Sequence, residues 1–241
     1  MTNDTSMTAD QLFAALDTTW PAAEMMAKDG WLLRDGAGGG KRVSAASQIA
    51  PGADIDVAAA AMRAMEQAPL FQVRGEEPEL DAALEAAGYA IVDPVWLYAA
   101  PAAALIDGAS EQSRIYRGQF PVAAMQEIWA AGGIGPARLA VMDRAVAPKS
   151  WLMTRVSDRP AGVAFVSVSG ATAMVHAIEV AQDYRHQGAA RALMSGAATF
   201  AADNGASHLA LAVTKANVGA NQLYQSLGME VVAGYHYRIL E

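Results

Sequence analysis

Arg185-His186-Gln187-Gly188-Ala189-Ala190 falls where an apolar strand, Ala173 to Val180, gives way to a helix running from Arg191 to Asn204. Gly188 lets the backbone come close to a bulky group, and a helix start presents N–H donors that have no acceptor of their own. An anion such as a pyrophosphate suits such a turn. Two titratable side chains interrupt the strand before it, His176 and Glu179. Regular alternation sets Glu179 with Ala177 on one face and His176 with Ile178 and Val180 on the other, so the two do not serve together as bases. Burial would raise the Glu179 carboxyl toward neutrality, where an imidazole titrates ordinarily. The plainer alternatives are a Glu179 that faces solvent or orients substrate, and a His176 bonded to backbone. His236, between Tyr235 and Tyr237, either lines a pocket or belongs to a structural aromatic face, while His208 has no evident chemical partner.

The elements that position these groups are legible from periodicity and breakers. Helical spacing runs from Met7 to Leu16 and again, briefly, over Ala22 to Ala27, where Met25-Met26 would fill a helix interface. Trp31 to Arg34 reads as a strand entering the flexible turn Asp35 to Gly40, and Lys41 to Ile49 as its returning neighbour. Then come a helix (Ile55 to Gln67), a strand (Leu70 to Arg74), a helix (Glu79 to Ala87) and a strand (Tyr89 to Tyr98) that Pro94 marks as an edge or bulge. Ala99 to Gly108 reads as a connection. Beyond it, two helices with early prolines (Pro121 to Ala131, Pro136 to Ala145) precede a hairpin, Trp151 to Val156 and Ala161 to Val168. The chain closes with strand Ala171 to Val180, a helix, strand His208 to Val213, helix Ala220 to Leu227 and strand Glu230 to Ile239.

An internal repeat links the two halves. Moving from residue 73 to residue 213, a shift of 140, lays Val73-Arg74 on Val213-Thr214, Gly88 on Gly228 and Ile91-Val92 on Val231-Val232. The first half lacks an Arg-x-x-Gly-x-Ala hexapeptide, so only the second carries the anion-binding turn.

Composition narrows the classes of function. Hydrophobic residues make up 53% of the 241, enough for a sizeable core, and only 17% are charged. A net charge of −8 disfavours nucleic acid as a partner but says little about a small cationic or zwitterionic substrate. The absence of cysteine excludes a disulfide framework, a thiolate metal site and a cysteine nucleophile, and no metal-ligand cluster is evident. Met1 to Asp10 is polar, without the apolar core of a signal peptide, and no apolar run is long enough to cross a bilayer. The expectation is a cytoplasmic protein without a membrane role, either monomer or homodimer.

The second half resembles the GNAT superfamily of N-acetyltransferases. Arg185, Gly188 and Ala190 occupy the specified places of that family's Gln/Arg-x-x-Gly-x-Gly/Ala signature, with Gln182 where a proline is common. Asn217, Ala220, Tyr224 and Leu227-Gly228 fit its second conserved region, with Met229 where phenylalanine is usual. Trp20-Pro21 and Gly30 to Arg34 resemble the degenerate first unit of tandem members. The resemblance implies a mixed α/β (α+β) fold of two such units, 1–105 degenerate and 106–241 catalytic, each with a mixed central sheet flanked by helices. It implies acetyl-CoA as donor, its pyrophosphate over Gln187, Gly188, Ala189 and Ala190, with Arg185 organising the turn and His186 facing adenosine or solvent. The strand edge at Ile178 and Val180 would bond the pantetheine amides where that strand splays from the next. Tyr224 is implied as the acid that protonates the leaving thiolate, packing of helix on sheet being its alternative role. Asn217 bridges strand and helix toward ligand or water, or caps the helix. With Glu179 or His176 as base, the expected reaction is direct attack by a primary amine of a small molecule. An acyl-CoA-binding protein without turnover and a peptide or protein N-acetyltransferase are the alternatives.

Overall fold

The computed structural model of the protein describes residues 7–106 and 113–240. In the first half α1 (Ala9–Thr19), β1 (Glu24–Lys28), β2 (Trp31–Asp35), α2 (Lys41–Ser44), β3 (Ala46–Gln48), α3 (Ile55–Ala64), β4 (Leu70–Arg74), α4 (Pro78–Ala86), β5 (Ala90–Pro101) and α5 (Ala102–Leu105) follow in order. The second half contains β6 (Ser113–Gly118), α6 (Ala123–Ala131), α7 (Pro136–Arg144), β7 (Lys149–Val156), β8 (Arg159–Ser169) and β9 (Thr172–Val180). It ends with α8 (Ala189–Asp203), β10 (His208–Thr214), α9 (Val218–Ser226) and β11 (Glu230–Ile239).

Local chemistry explains the boundaries. Thr8 and Gln11 form a reciprocal capping box at the start of α1, satisfying N–H groups that would otherwise lack acceptors. Asp29 and Gly30 both take positive φ (47° and 84°), a hairpin turn whose twist suits β1 and β2. That turn corrects the expected helix over Ala22 to Ala27. The segment is instead an edge strand, and Met25 and Met26 are exposed on it rather than filling an interface. Lys41 to Ile49 likewise divides into a short helix and the three-residue β3. Of the expected connection Ala99 to Gly108, the first part belongs to β5 and α5, and Asp107 and Gly108 lie outside the described residues.

All the strands join one mixed sheet in the order β1-β2-β3-β4-β11-β5-β10-β9-β8-β7-β6, which runs unbroken across the expected boundary at 105/106. Strand β5 lies between β10 and β11, and β11 lies between β4 and β5. The shift of 140 is carried into this exchange. Arg74 of β4 pairs with Tyr235 of β11, and Thr214 of β10, the counterpart of Arg74, pairs with Val95 of β5, the counterpart of Tyr235. Helices α4 and α9 are offset by the same interval at both ends.

Alternation along β5 divides two helical layers. Tyr98 and Ala100 face a core shared with α8 and α9, whereas Leu97 and Ala99 face one shared with α1. Helices α3 and α4 cover Trp31, Phe71 and Val73 on the α8 side, and α6 and α7 cover Trp151 and Phe165 on the α1 side. Arg34, 2% exposed, fastens α1 to the sheet by a bidentate pair with Asp17 (Nε–Oδ1 3.1 Å, Nη2–Oδ2 2.9 Å) and by bonds to the Ala45 carbonyl and Ser47. No helix among the described residues is long and apolar enough to cross a membrane.

Candidate active site

Strands β9 and β10 run parallel but pair only through Thr172–Met174 and His208–Ala210. Beyond that point they diverge, although β9 stays paired with β8 as far as Val180. The sheet therefore has an unpaired opening between the carboxyl ends of two neighbouring strands. The splay expected from the resemblance is present, with Ile178 and Val180 along the unpaired side of β9.

On the α8 side of this opening lies the turn singled out by sequence. Gly188 is the N-cap of α8 in the left-handed conformation (φ 82°), preceded by His186 at φ 60°, and no side chain caps the helix. A Cβ built on Gly188 would meet nothing within 4 Å, so the space over the helix start is open. Arg185 donates from Nε to the Val180 carbonyl (3.3 Å) and Gln187 from Nε2 to the Asp183 carbonyl (2.8 Å), which fixes the turn while leaving its N–H groups free for an anion. Helix α3 contrasts with it: the Asp54 carboxylate accepts from the Asp56 N–H there, occupying the position an anion would take.

Tyr224 projects from α9 into the core beneath α8 and is 6% exposed, its ring 5.8 Å from that of Tyr98. Burial pushes its phenol pKa up to about 12, so it is protonated at neutral pH. Asn217 caps α9 by accepting from the Ala220 N–H at 3.1 Å. The bridge from strand to helix comes instead from Asn221, which sequence reasoning missed. Its Nδ2 donates to the Thr214 carbonyl (3.0 Å) and its Oδ1 accepts from Tyr98 (3.1 Å). The signal was available, since Asn221 lies one helical turn beyond Asn217.

Residues of β9 do not alternate as expected. Ala177 takes φ 50°, and pairing with β8 slips there, Phe165 facing His176 while Val163 faces Glu179. Val163 and Phe165 share one face of β8, so Glu179 and His176 share a face too, with Ile178 and Val180 on the other. The bulge is anchored by Trp129, whose Nε1 donates to the Ala177 carbonyl at 2.8 Å. Glu179 lies against Gly132 and pairs with Arg185 at 3.4 Å, with its side chain 22% exposed. His176 is 3% exposed, with its ring 4.9 Å from Trp20. Thr19 gives its hydroxyl proton to the Ala15 carbonyl (2.7 Å), so the 2.9 Å bond to His176 requires Nε2–H as donor and leaves Nδ1 a buried lone pair without a partner among the described residues. Burial, and secondarily the Arg42 charge, hold this imidazole pKa well below its ordinary value, so it is neutral.

A cavity of about 290 Å³ lies on the α1 side of the same opening. Ala177 and Thr214 line it, Trp20 and Ile134 form apolar wall, and Tyr235 and Tyr237 contribute phenols. The Gly39–Arg42 segment supplies another wall by docking on α7, where a Cβ on Gly39 would come 2.6 Å from Val141. The expected flexible turn is thus packed against the other half of the chain. His236 does not line the cavity: it faces away and meets Asp81 at 2.7 Å, and Asp81 also accepts from Arg238 at 2.7 Å. The His208 side chain bonds its neighbour Ser207.

Comparison with known proteins agrees with this geometry. Residues 110–229 match the acetyltransferase (GNAT) family. A protein of Bacillus subtilis (strain 168) described as the uncharacterized N-acetyltransferase YobR is 25% identical over 92% of this chain and 94% of its own length. The fold is shared with a GCN5-related N-acetyltransferase from Kribbella flavida (TM-score 0.76, 19% identity, 97% of this chain and 96% of that one). It is also shared with a tandem GNAT protein from the clavulanic acid biosynthesis pathway (TM-score 0.59, 13% identity, 95% and 86%). The chain with the uncapped helix start, the parted strands and the buried tyrosine belongs to the GNAT family of N-acetyltransferases.

Proposed function

We propose that the protein, working in the cytoplasm, moves an acetyl group from acetyl-CoA to a primary amine of a small molecule by direct attack. The observation that carries this reading is the gap between β9 and β10, with the uncapped start of α8 on one face of the sheet and a cavity on the other. A cavity of about 290 Å³ suits a small acceptor better than a length of peptide. The open space over Gly188 and the free N–H groups of Ala189 and Ala190 fit a pyrophosphate, and the unpaired side of β9 at Ile178 and Val180 fits an amide-bearing arm. Bound acetyl-CoA supplies an activated thioester. Glu179, directly or through one water, takes the proton shed by the attacking nitrogen as the C–N bond forms and the C–S bond breaks. Tyr224 gives its phenolic proton to the departing sulfur. His176, neutral and bonded to Thr19, positions the wall rather than moving a proton. Asn217 caps α9, and Asn221 holds it, and with it Tyr224, against the sheet. In the same proposal residues 106–241 form the catalytic unit and residues 1–105 a degenerate related unit that walls the acceptor cavity. Calorimetric titration with acetyl-CoA and thiol release across a panel of amines test it. A folded protein that fails to bind acetyl-CoA refutes it.

A further inference from the structure

The acceptor cavity is lined by three cationic side chains, Lys41, Arg42 and Arg138, and one carboxylate, Asp93. Lys41 and Asp93 answer each other at 2.9 Å. Arg42 and Arg138 have no carboxylate partner among the described residues, in a chain with 25 acidic residues to 17 basic. The two arginines buried most deeply elsewhere are neutralised, Arg34 by Asp17 and Arg238 by Asp81. Arg42 differs from both. It is partly buried, its Nε is wholly buried without a hydrogen-bond partner among the described residues, and Tyr235 and Tyr237 face it. Neutral phenols accept hydrogen bonds from a guanidinium but do not cancel its charge. Burial works against that charge while the two phenols favour it, and the net direction keeps Arg42 charged. A fork of donors lining a cavity, with no carboxylate among the described residues paired to it, is suited to a planar carboxylate.

We infer that the amine acceptor carries a carboxylate, bound by Arg42 with Lys41 and Arg138 around it, so that the substrate class is an amino acid or similar zwitterion rather than a plain amine. The inference rests on the proposed acetyl transfer and adds the acceptor's second functional group.

The test compares each amino acid with the amine it yields on decarboxylation: glycine with methylamine, β-alanine with ethylamine, 4-aminobutyrate with propylamine, L-lysine with cadaverine, and L-phenylalanine with phenethylamine. Thiol release from acetyl-CoA gives kcat/KM for both members of each pair. The expected result is at least one pair in which the carboxylated member is preferred tenfold or more. Arg42→Gln should reduce that preference about 10- to 100-fold through KM, the range for a charge-assisted hydrogen bond, while Arg42→Lys retains part of it. Arg138 is exposed, so Arg138→Gln tests the same point without risk to folding and should reduce the preference by a smaller factor. Equal use of both members in every pair, preference for the plain amines, or no turnover of any carboxylated member overturns the inference while leaving acetyl transfer intact wherever plain amines react. Loss of acetyl-CoA binding, measured separately by calorimetry, overturns the underlying reading instead.

Discussion

Replacing Gly132 with alanine tests the role of Glu179 without altering it. Gly132 caps the end of α6 at φ −86° and ψ 6°, backbone that alanine adopts freely. Its new Cβ would lie 2.6 Å from Cδ and Oε2 of Glu179 and 2.7 Å from Cγ, where ordinary contact begins at 3.4 Å. The carboxylate must therefore yield by about 0.8 Å, the difference between 3.4 and 2.6. Only the end of a flexible side chain moves, so the cost to the fold is about 1 kcal/mol of rotamer strain. Loss of a glycine from the unfolded chain offsets it by about 0.4–1 kcal/mol. Stability should hardly change, and Tm should stay within about 2 °C. Proton transfer is more exacting, because a misplacement of about 1 Å costs on the order of 100-fold. With the best amine acceptor, thiol release by Gly132→Ala should show kcat lowered about 10- to 100-fold, and acetyl-CoA affinity by calorimetry should be near that of the parent. Glu179→Gln should lose at least as much. A Gly132→Ala protein with full kcat refutes the assignment of Glu179 as base, as does a Glu179→Gln protein that retains it.

Tyr224→Phe keeps the ring packing and should lower kcat about 10²- to 10⁴-fold with little change in acetyl-CoA affinity, read from the same two assays. Because burial raises the Tyr224 pKa to about 12, the unfolded chain loses that proton first as pH rises. Its contribution is present below pH 10 and is lost between about pH 10 and 12, on the order of 3 kcal/mol, so urea unfolding at pH 9 and pH 11 should differ less in Tyr224→Phe than in the parent. Gly188→Ala places a side chain at φ 82° and fills the open space over α8; stability should fall by about 1–2 kcal/mol and the acetyl-CoA Kd should rise about tenfold, by unfolding and calorimetry respectively. Asp17→Ala strands the buried Arg34 charge and should cost about 3 kcal/mol or more, seen as a lower urea midpoint with an unchanged m-value.

The proposed donor side of the site was legible as a candidate because it is local. A strand, a glycine turn and a helix lie within a few dozen consecutive residues, and their spacing survives folding unchanged. The cavity proposed for the acceptor was not, because its wall is assembled from Arg42, Arg138, Tyr235 and Ala177, which only the completed sheet and the docking of Gly39 on α7 bring together. Reading β9 by simple alternation failed at one residue: the bulge at Ala177 reverses the facing of His176 relative to Ile178, and nothing in an apolar run announces it. Ala22 to Ala27 was misread because alanine and methionine suggested helix, whereas Asp29-Gly30, a strong hairpin signal, came two residues later. The repeat of 140 was legible in a handful of identities, but the exchange of β5 and β11 was not, because pairing partners are chosen by the whole sheet.

That exchange makes the chain indivisible. A cut anywhere in 107–112 would release two pieces, each carrying a long strand (β5 in one, β11 in the other) whose two neighbours both belong to the other piece, and each with an open edge where the missing strand should sit. Such pieces expose backbone donors and acceptors that invite aggregation, yet mixed together they carry everything needed to reassemble one sheet. Splitting the gene there would therefore yield a complementation pair: two fragments inert alone, whose recovered acetylation would report their association.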